Sequence, residues 1–87
     1  MKISRTNIFK KDFQKLPDKV RKAAAKQITQ LLMDYTHPSL RLEGISGTEG
    51  LFSIRVDRRY RISLCFIEKD TILLRRVLDH DDLHKNA

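Results

Sequence analysis

The sequence has one cysteine, Cys65. It therefore forms no internal disulfide and has no metal-type cysteine spacing. A lone free cysteine in an alternating run packs as a small hydrophobe. No apolar run approaches the ~20 residues that a spanning helix needs, and the start, Met1-Lys2-Ile3-Ser4, carries no signal-peptide apolar region. These absences point to a reducing cytosol and a cytoplasmic location away from any membrane. Glycine is scarce and confined: Gly44, Gly47 and Gly50 are the only three. They mark one flexible loop. No lysine follows it and no strand–loop–helix pattern surrounds it, so it is not a phosphate-cradling motif. His37, His80 and His84 are the only histidines. His80 and His84 can share a helix face, but no third ligand at matching spacing appears, so no metal and no cofactor is expected. Acidic residues are few, 11 against 18 Lys and Arg, for a net charge of +7. That balance suits a phosphate backbone, anionic lipid or an acidic protein, with lipid the weakest match.

What is present reads as one small domain over residues 1–87. Its 33% charged and 40% hydrophobic residues are those of a globular chain. The most informative stretch is Gly50 to Phe66. Phe52, Ile54 and Val56 alternate with Ser53 and Arg55. After Asp57-Arg58-Arg59, Tyr60, Ile62, Leu64 and Phe66 alternate with Arg61, Ser63 and Cys65. Period-two alternation predicts two half-buried strands joined as a hairpin, although the turn lacks an Asn-Gly or Asp-Gly signature. One face is apolar and the other presents Arg55 and Arg61.

Upstream the period changes. Phe9, Phe13 and Leu16 predict a first helix, with Thr6 or Asn7 as its N-cap. Pro17 ends it and suits the first turn of a second helix. That helix is predicted from about Pro17 to Tyr35, with Val20, Ala24, Ile28, Leu31, Leu32 and Tyr35 on one face. Its cations, Lys26 among them, read as a solvated face. Thr36-His37-Pro38 stops it. Lys2–Arg5 and Ser39–Glu43 are short strand candidates, and Thr71–Leu78 is the last strand. Helices that arrive together, then strands that arrive together, predict an α+β fold. The two N-terminal helices should pack on one face of a twisted antiparallel sheet of about four strands. The other face should be open, with Arg55 and Arg61 on it.

An open face of this kind suits phosphate. Arginine donates in a rigid fork and stays charged. The candidates are Arg41, Arg55, Arg58, Arg59, Arg61, Arg75 and Arg76. Taken singly, each reads as a solvated charge or a partner of Asp57, Glu43 or Asp79 rather than as a phosphate ligand; their grouping on adjacent strands is the signal. Metal-free RNA cleavage needs a group to move protons and a cation to stabilise charge on phosphorus. His80 closes the last strand among Asp79, Asp81 and Asp82, where a carboxylate can orient it. It reads equally as a surface histidine in a frayed terminus.

Several segments resemble the RelE/ParE superfamily of type II toxin–antitoxin toxins. They are Phe13-Gln14-Lys15-Leu16-Pro17, Leu42-Glu43-Gly44, Gly50-Leu51-Phe52-Ser53-Ile54-Arg55-Val56, Asp57-Arg58-Arg59-Tyr60-Arg61-Ile62 and Val77-Leu78-Asp79-His80-Asp81-Asp82-Leu83. The resemblance implies a two-helix, antiparallel-sheet fold. It implies a ribosome-dependent endoribonuclease that cuts mRNA in the A site, leaves a cyclic phosphate and is blocked by an acidic antitoxin. Arg61 matches the arginine that contacts the scissile phosphate, Arg55 the basic residue one strand earlier, and His80 lies near the C-terminal proton-transfer position. Arg41, Arg58, Arg59 and Arg76 would be supporting RNA contacts. The sequence departs from many nuclease members in having no tyrosine after Tyr60 and no lysine pair before the glycine loop. The superfamily's other branch inhibits DNA gyrase by binding and needs no catalytic residues. A non-catalytic RNA-binding domain of the same fold is a third reading.

Overall fold

In the computed structural model, which describes residues 1–87, the alternating stretch forms two adjacent antiparallel strands, β3 (Phe52–Arg55) and β4 (Tyr60–Ile67). Phe52 lies opposite Leu64, Ile54 opposite Ile62, and Arg55 opposite Arg61. Ile54, Ile62 and Leu64 are fully buried. The turn needs no Asn-Gly because Asp57 supplies its closure. One oxygen of its carboxylate accepts the amides of Arg59 and Tyr60, each at 2.8 Å. That use of an Asp side chain in place of a backbone turn is a local alternative to glycine.

The preceding chain is β1 (Lys2–Arg5), α1 (Asn7–Lys15), α2 (Asp18–Met33), a 3-10 turn at Pro38–Leu40 and β2 (Glu43–Gly44). Thr6 caps α1: its hydroxyl accepts the Phe9 amide at 3.0 Å and donates to the Arg75 carbonyl at 2.7 Å. The second helix stops two residues before the predicted Tyr35. There Asp34 turns extended and its carboxylate accepts the amide and hydroxyl of Thr36. Ser39–Glu43 is not a strand. Pro38 starts a tight turn that buries Leu40, and only Glu43–Gly44 pairs with β3.

After β4 come β5 (Thr71–Asp79), a 3-10 turn at His80–Asp82 and α3 (Leu83–Asn86). The sheet order is β1-β5-β4-β3-β2. It has five strands rather than about four. It is mixed rather than wholly antiparallel, because β1 lies parallel to β5. The antiparallel part runs from β2 to β5. Phe9, Leu16, Ala24 and Leu31 bury against Ile54, Ile62, Leu64, Ile72, Leu74 and Val77, with Phe13, Val20 and Ile28 packed alongside. This is the helix-on-sheet core expected from periodicity, except that Leu32, Tyr35 and Phe66 are exposed, at the ends of α2 and β4 where the two layers no longer cover each other.

A register shift sits between Ser63 and Leu64, which pair with Arg76 and Leu74 and leave Arg75 unpaired. Such a bulge bends the strand and re-aims side chains. Asp12 on α1 braces this point. Its carboxylate accepts Arg76 Nε at 3.0 Å, Arg76 Nη2 at 3.1 Å and the Val77 amide at 3.2 Å. We expect Asp12→Ala to cost about 1–3 kcal/mol, since it strands a partly buried guanidinium and a backbone N–H. Chemical denaturation measures this, and an unchanged midpoint would remove the brace.

The second sheet face is not open along its length. Ser53 and Ser63 are fully buried there. Ile45, Leu78 and Leu83 form a second small core, with Leu51 and Ala87 packed on it. Ser63 Oγ and Arg75 Nε both donate to the Ala87 carbonyl, at 3.2 and 3.1 Å. The glycine loop and the C-terminal turn therefore cover the middle of this face and leave its hairpin end exposed.

Candidate functional site

The hairpin end of the sheet gathers the cations. Arg55 and Arg61 are cross-strand neighbours, an arrangement of like charges that disfavours the sheet. Arg61 is held tightly. Its Nε donates to Ser53 Oγ at 2.9 Å and its Nη2 to the Arg41 carbonyl at 2.9 Å. Glu43 Oε1 lies 3.3 Å from Nη2; the Arg61 side chain is 12% exposed and that of Glu43 65%. Burial pushes the Arg61 pKa down, Glu43 opposes that, and Arg55 and Arg41 push it down further. The guanidinium is thus a desolvated cation beside two more, with one solvent-exposed carboxylate in reach.

Arg41 reaches this place through an unusual backbone. It follows the 3-10 turn in the left-handed region, φ 48° and ψ 49°. Arg55 is half-buried and its Nε donates to the Asp57 carbonyl at 3.4 Å. Arg41 and Arg55 line a cleft of about 590 Å³ between α2 and β3, with Lys26, Gln27, Ser39 and Val56 among its walls.

His80 is placed nearby but differently. Its amide donates to the Arg59 carbonyl at 2.7 Å, which sets it two residues from Arg61 along the neighbouring strand. Its side chain is 66% exposed, with Nδ1 3.9 Å from Asp81. It lines a shallow cavity of about 380 Å³ with Arg58, Arg59, Asp79 and Asp81. Arg61 is not in that cavity's wall. The structure therefore brings Arg41, Arg55 and Arg61 together, puts His80 at the same end of the sheet, and does not seat His80 and Arg61 in one cavity. Arg59 is tied to Asp79 at 2.6 Å. That hydrogen bond raises the Arg59 pKa and lowers that of Asp79. Arg76 is committed to Asp12, whose hydrogen bonds raise its pKa. Arg58 is exposed and in no ion pair. No group of three His, Cys, Asp or Glu residues is placed to hold a metal ion.

Sequence reasoning missed Ser53 and Gln27, and named Glu43 as a partner for the arginines without fixing which one. Ser53 and Glu43 carry no pattern of their own and become partners of Arg61 only through strand pairing. Gln27 did leave a signal: it is a polar residue between Ala24 and Leu31 on the buried side of α2, itself 9% exposed. The most apolar groove, lined by Phe9, Phe13, Ala25 and Ile28 between the helices, holds none of the nominated residues.

The sequence matches no family model and no curated protein. Solved structures do match. A YoeB/ParE toxin from Agrobacterium tumefaciens superposes with a TM-score of 0.78 at 15% identity, over 92% of this chain and 99% of that one. The RelB–RelE antitoxin–toxin complex from Methanococcus jannaschii gives 0.70 at 26% identity, over 93% and 94%. The isolated Escherichia coli RelE toxin gives 0.71 at 19% identity, over 90% and 82%. These neighbours are toxins of toxin–antitoxin systems, and one is seen with its antitoxin. The chain has the α+β fold of the RelE/ParE toxin superfamily, which its hairpin and helix-end motifs resemble.

Proposed function

We propose that this protein is the toxin of a toxin–antitoxin pair and a metal-independent endoribonuclease acting on mRNA in the ribosomal A site. The observation that carries the reading is the opposed Arg55–Arg61 pair with Arg41 beside it. Three cations with one exposed carboxylate are poorly neutralised within the fold. A phosphate relieves that repulsion, and donors fixed before it arrives act most strongly where charge grows on phosphorus. The ribose 2′-oxygen would attack phosphorus, losing its proton to a base. The phosphorus–5′-oxygen bond would break, and the leaving oxygen would take a proton. Arg61 and Arg55 stabilise the phosphorane charge, and His80, at the same sheet end, carries a proton in this reading. Arg41, Arg58, Arg59 and Arg76 are assigned supporting roles, with Arg59 and Arg76 limited by their carboxylate partners.

The +7 charge also suits an acidic antitoxin that folds as it binds. No helix is long and apolar enough to cross a membrane, in keeping with a cytoplasmic site of action. A gyrase-binding toxin is the competing reading, favoured by one observation: Arg61 is not in the wall of the cavity that His80 lines. A translation extract separates the two. Site-specific cuts in ribosome-bound mRNA are the expected result. Intact mRNA with accumulating gyrase–DNA cleavage complexes would reverse the assignment.

A further inference from the structure

Lys26, Arg41 and Arg55 share the cleft between α2 and β3, and none of them is in an ion pair. No carboxylate lines that cleft. By contrast, Arg59, Arg61 and Arg76 each have a carboxylate partner. The cleft is also built from within. Gln27 Nε2 donates to the Ser39 carbonyl at 3.1 Å and to the Arg55 carbonyl at 2.8 Å. One buried amide clips two cation-bearing segments to the helix that carries Lys26. The Ser39 segment leads into Arg41, whose left-handed backbone is uncommon for a residue with a side chain. Arg41 then serves two places: its side chain lines the cleft, and its carbonyl holds Arg61 Nη2.

We infer that this cleft binds a second phosphate of the same single-stranded RNA, next to the phosphate at Arg61. The inference rests on the nuclease reading and extends it to Lys26 and Gln27. Two guanidinium forks and an ammonium, unneutralised and converging, suit phosphate oxygens. An acidic amphipathic helix suits the cleft less well, because it needs an apolar stripe to sit on. Here Ala23, Pro38 and Val56 are the only apolar walls, and the more apolar groove lies elsewhere. Gln27 is a positioning residue: it sets the two backbones from which the arginines reach out.

The test uses the full chain and a short fluorescein-labelled oligoribonucleotide with 2′-O-methyl riboses, which lacks the attacking hydroxyl. Binding is followed by anisotropy across a salt series. Each phosphate contact on a single strand contributes about 0.7 to the slope of log affinity against log salt. Lys26→Ala is expected to reduce that slope by about 0.7 and to weaken binding at low salt. Lys26→Arg should restore the slope, and Lys22→Ala, on α2 outside the cleft, should leave it unchanged. Lys26 is exposed in the helix interior, so alanine there keeps the fold. If the wild type binds and Lys26→Ala keeps the full slope, the cleft assignment fails and the nuclease reading stands. If the wild type does not bind the strand at all, the cleft assignment fails, and the nuclease reading is decided separately by the translation extract. If Lys26→Ala weakens binding of poly-glutamate and not of the oligonucleotide, the cleft belongs to a protein partner and the RNA assignment is overturned.

Discussion

Replacing Arg61 by alanine should lower mRNA cleavage by about 10²–10³-fold, the usual effect of removing one preorganised charge-stabilising donor. The expectation comes from how the side chain is held. Ser53, the Arg41 carbonyl and Glu43 fix a guanidinium that is largely out of solvent. A cation fixed in this way acts chiefly where phosphorus charge develops, so turnover should fall more than ribosome affinity. In cells, growth arrest should be relieved. Alanine also leaves the Ser53 hydroxyl and the Arg41 carbonyl without their partner, so circular dichroism must show that the variant folds. Arg61→Lys is the second variant. It keeps the charge and loses the fork, and should recover only part of the activity. His80→Ala alters an exposed side chain and should fold normally. Loss of a proton-transfer group costs about 10²–10⁴-fold. Full toxicity in a folded His80→Ala variant would move the proton role elsewhere. Full toxicity in both alanine variants would end the nuclease reading.

Leu64→Ala should destabilise the fold by about 2–5 kcal/mol, the range for a buried leucine truncated to alanine. Leu64 is fully buried on β4, between β3 and β5, and belongs to the helix-facing core. It also sits at the register shift. A domain of this size has a total stability near the lower part of the usual ~5–15 kcal/mol. Each lost kcal/mol lowers the melting temperature by about 4–8 °C in domains of 60–100 residues. A drop of about 8–40 °C, or failure to fold, is therefore expected in a thermal melt. Ile28→Ala should cost less, because Ile28 is half-buried at the margin of the same core. Met33, 76% exposed at the end of α2, is the control and should change stability within about 0.5 kcal/mol. A wild-type melt for Leu64→Ala would show that this face of β4 is not core.

The local code of this chain was strong. Alternation in Phe52–Val56 and Tyr60–Phe66 gave the hairpin and its buried face, and Phe9, Phe13, Ala24 and Leu31 gave the helix faces that cover it. Those patterns repeat every two or about 3.6 residues, so a short window contains them. The arginines of the hairpin were legible for the same reason. The pleat sends Arg55 and Arg61 to the side opposite Ile54 and Ile62. The long-range contacts that brace the fold and the cleft were not legible, because each partner is supplied from a distance. Thr6 meets Arg75 across 69 positions, Asp12 meets Arg76 across 64, and Gln27 meets Arg55 across 28. No local period records such a pairing. The same holds for β1, whose only apolar anchor is Ile3 and whose place beside β5 in parallel comes from the chain's return. Ser53 and Ser63 look like open-face residues in the sequence; the glycine loop and the C-terminal turn bury them. By itself the sequence determined the α+β class, the hairpin and which arginines it presents. Tertiary structure alone decided which of those charges stand unpaired, because neutralisation depends on carboxylates and carbonyls brought in from other strands and from the helices.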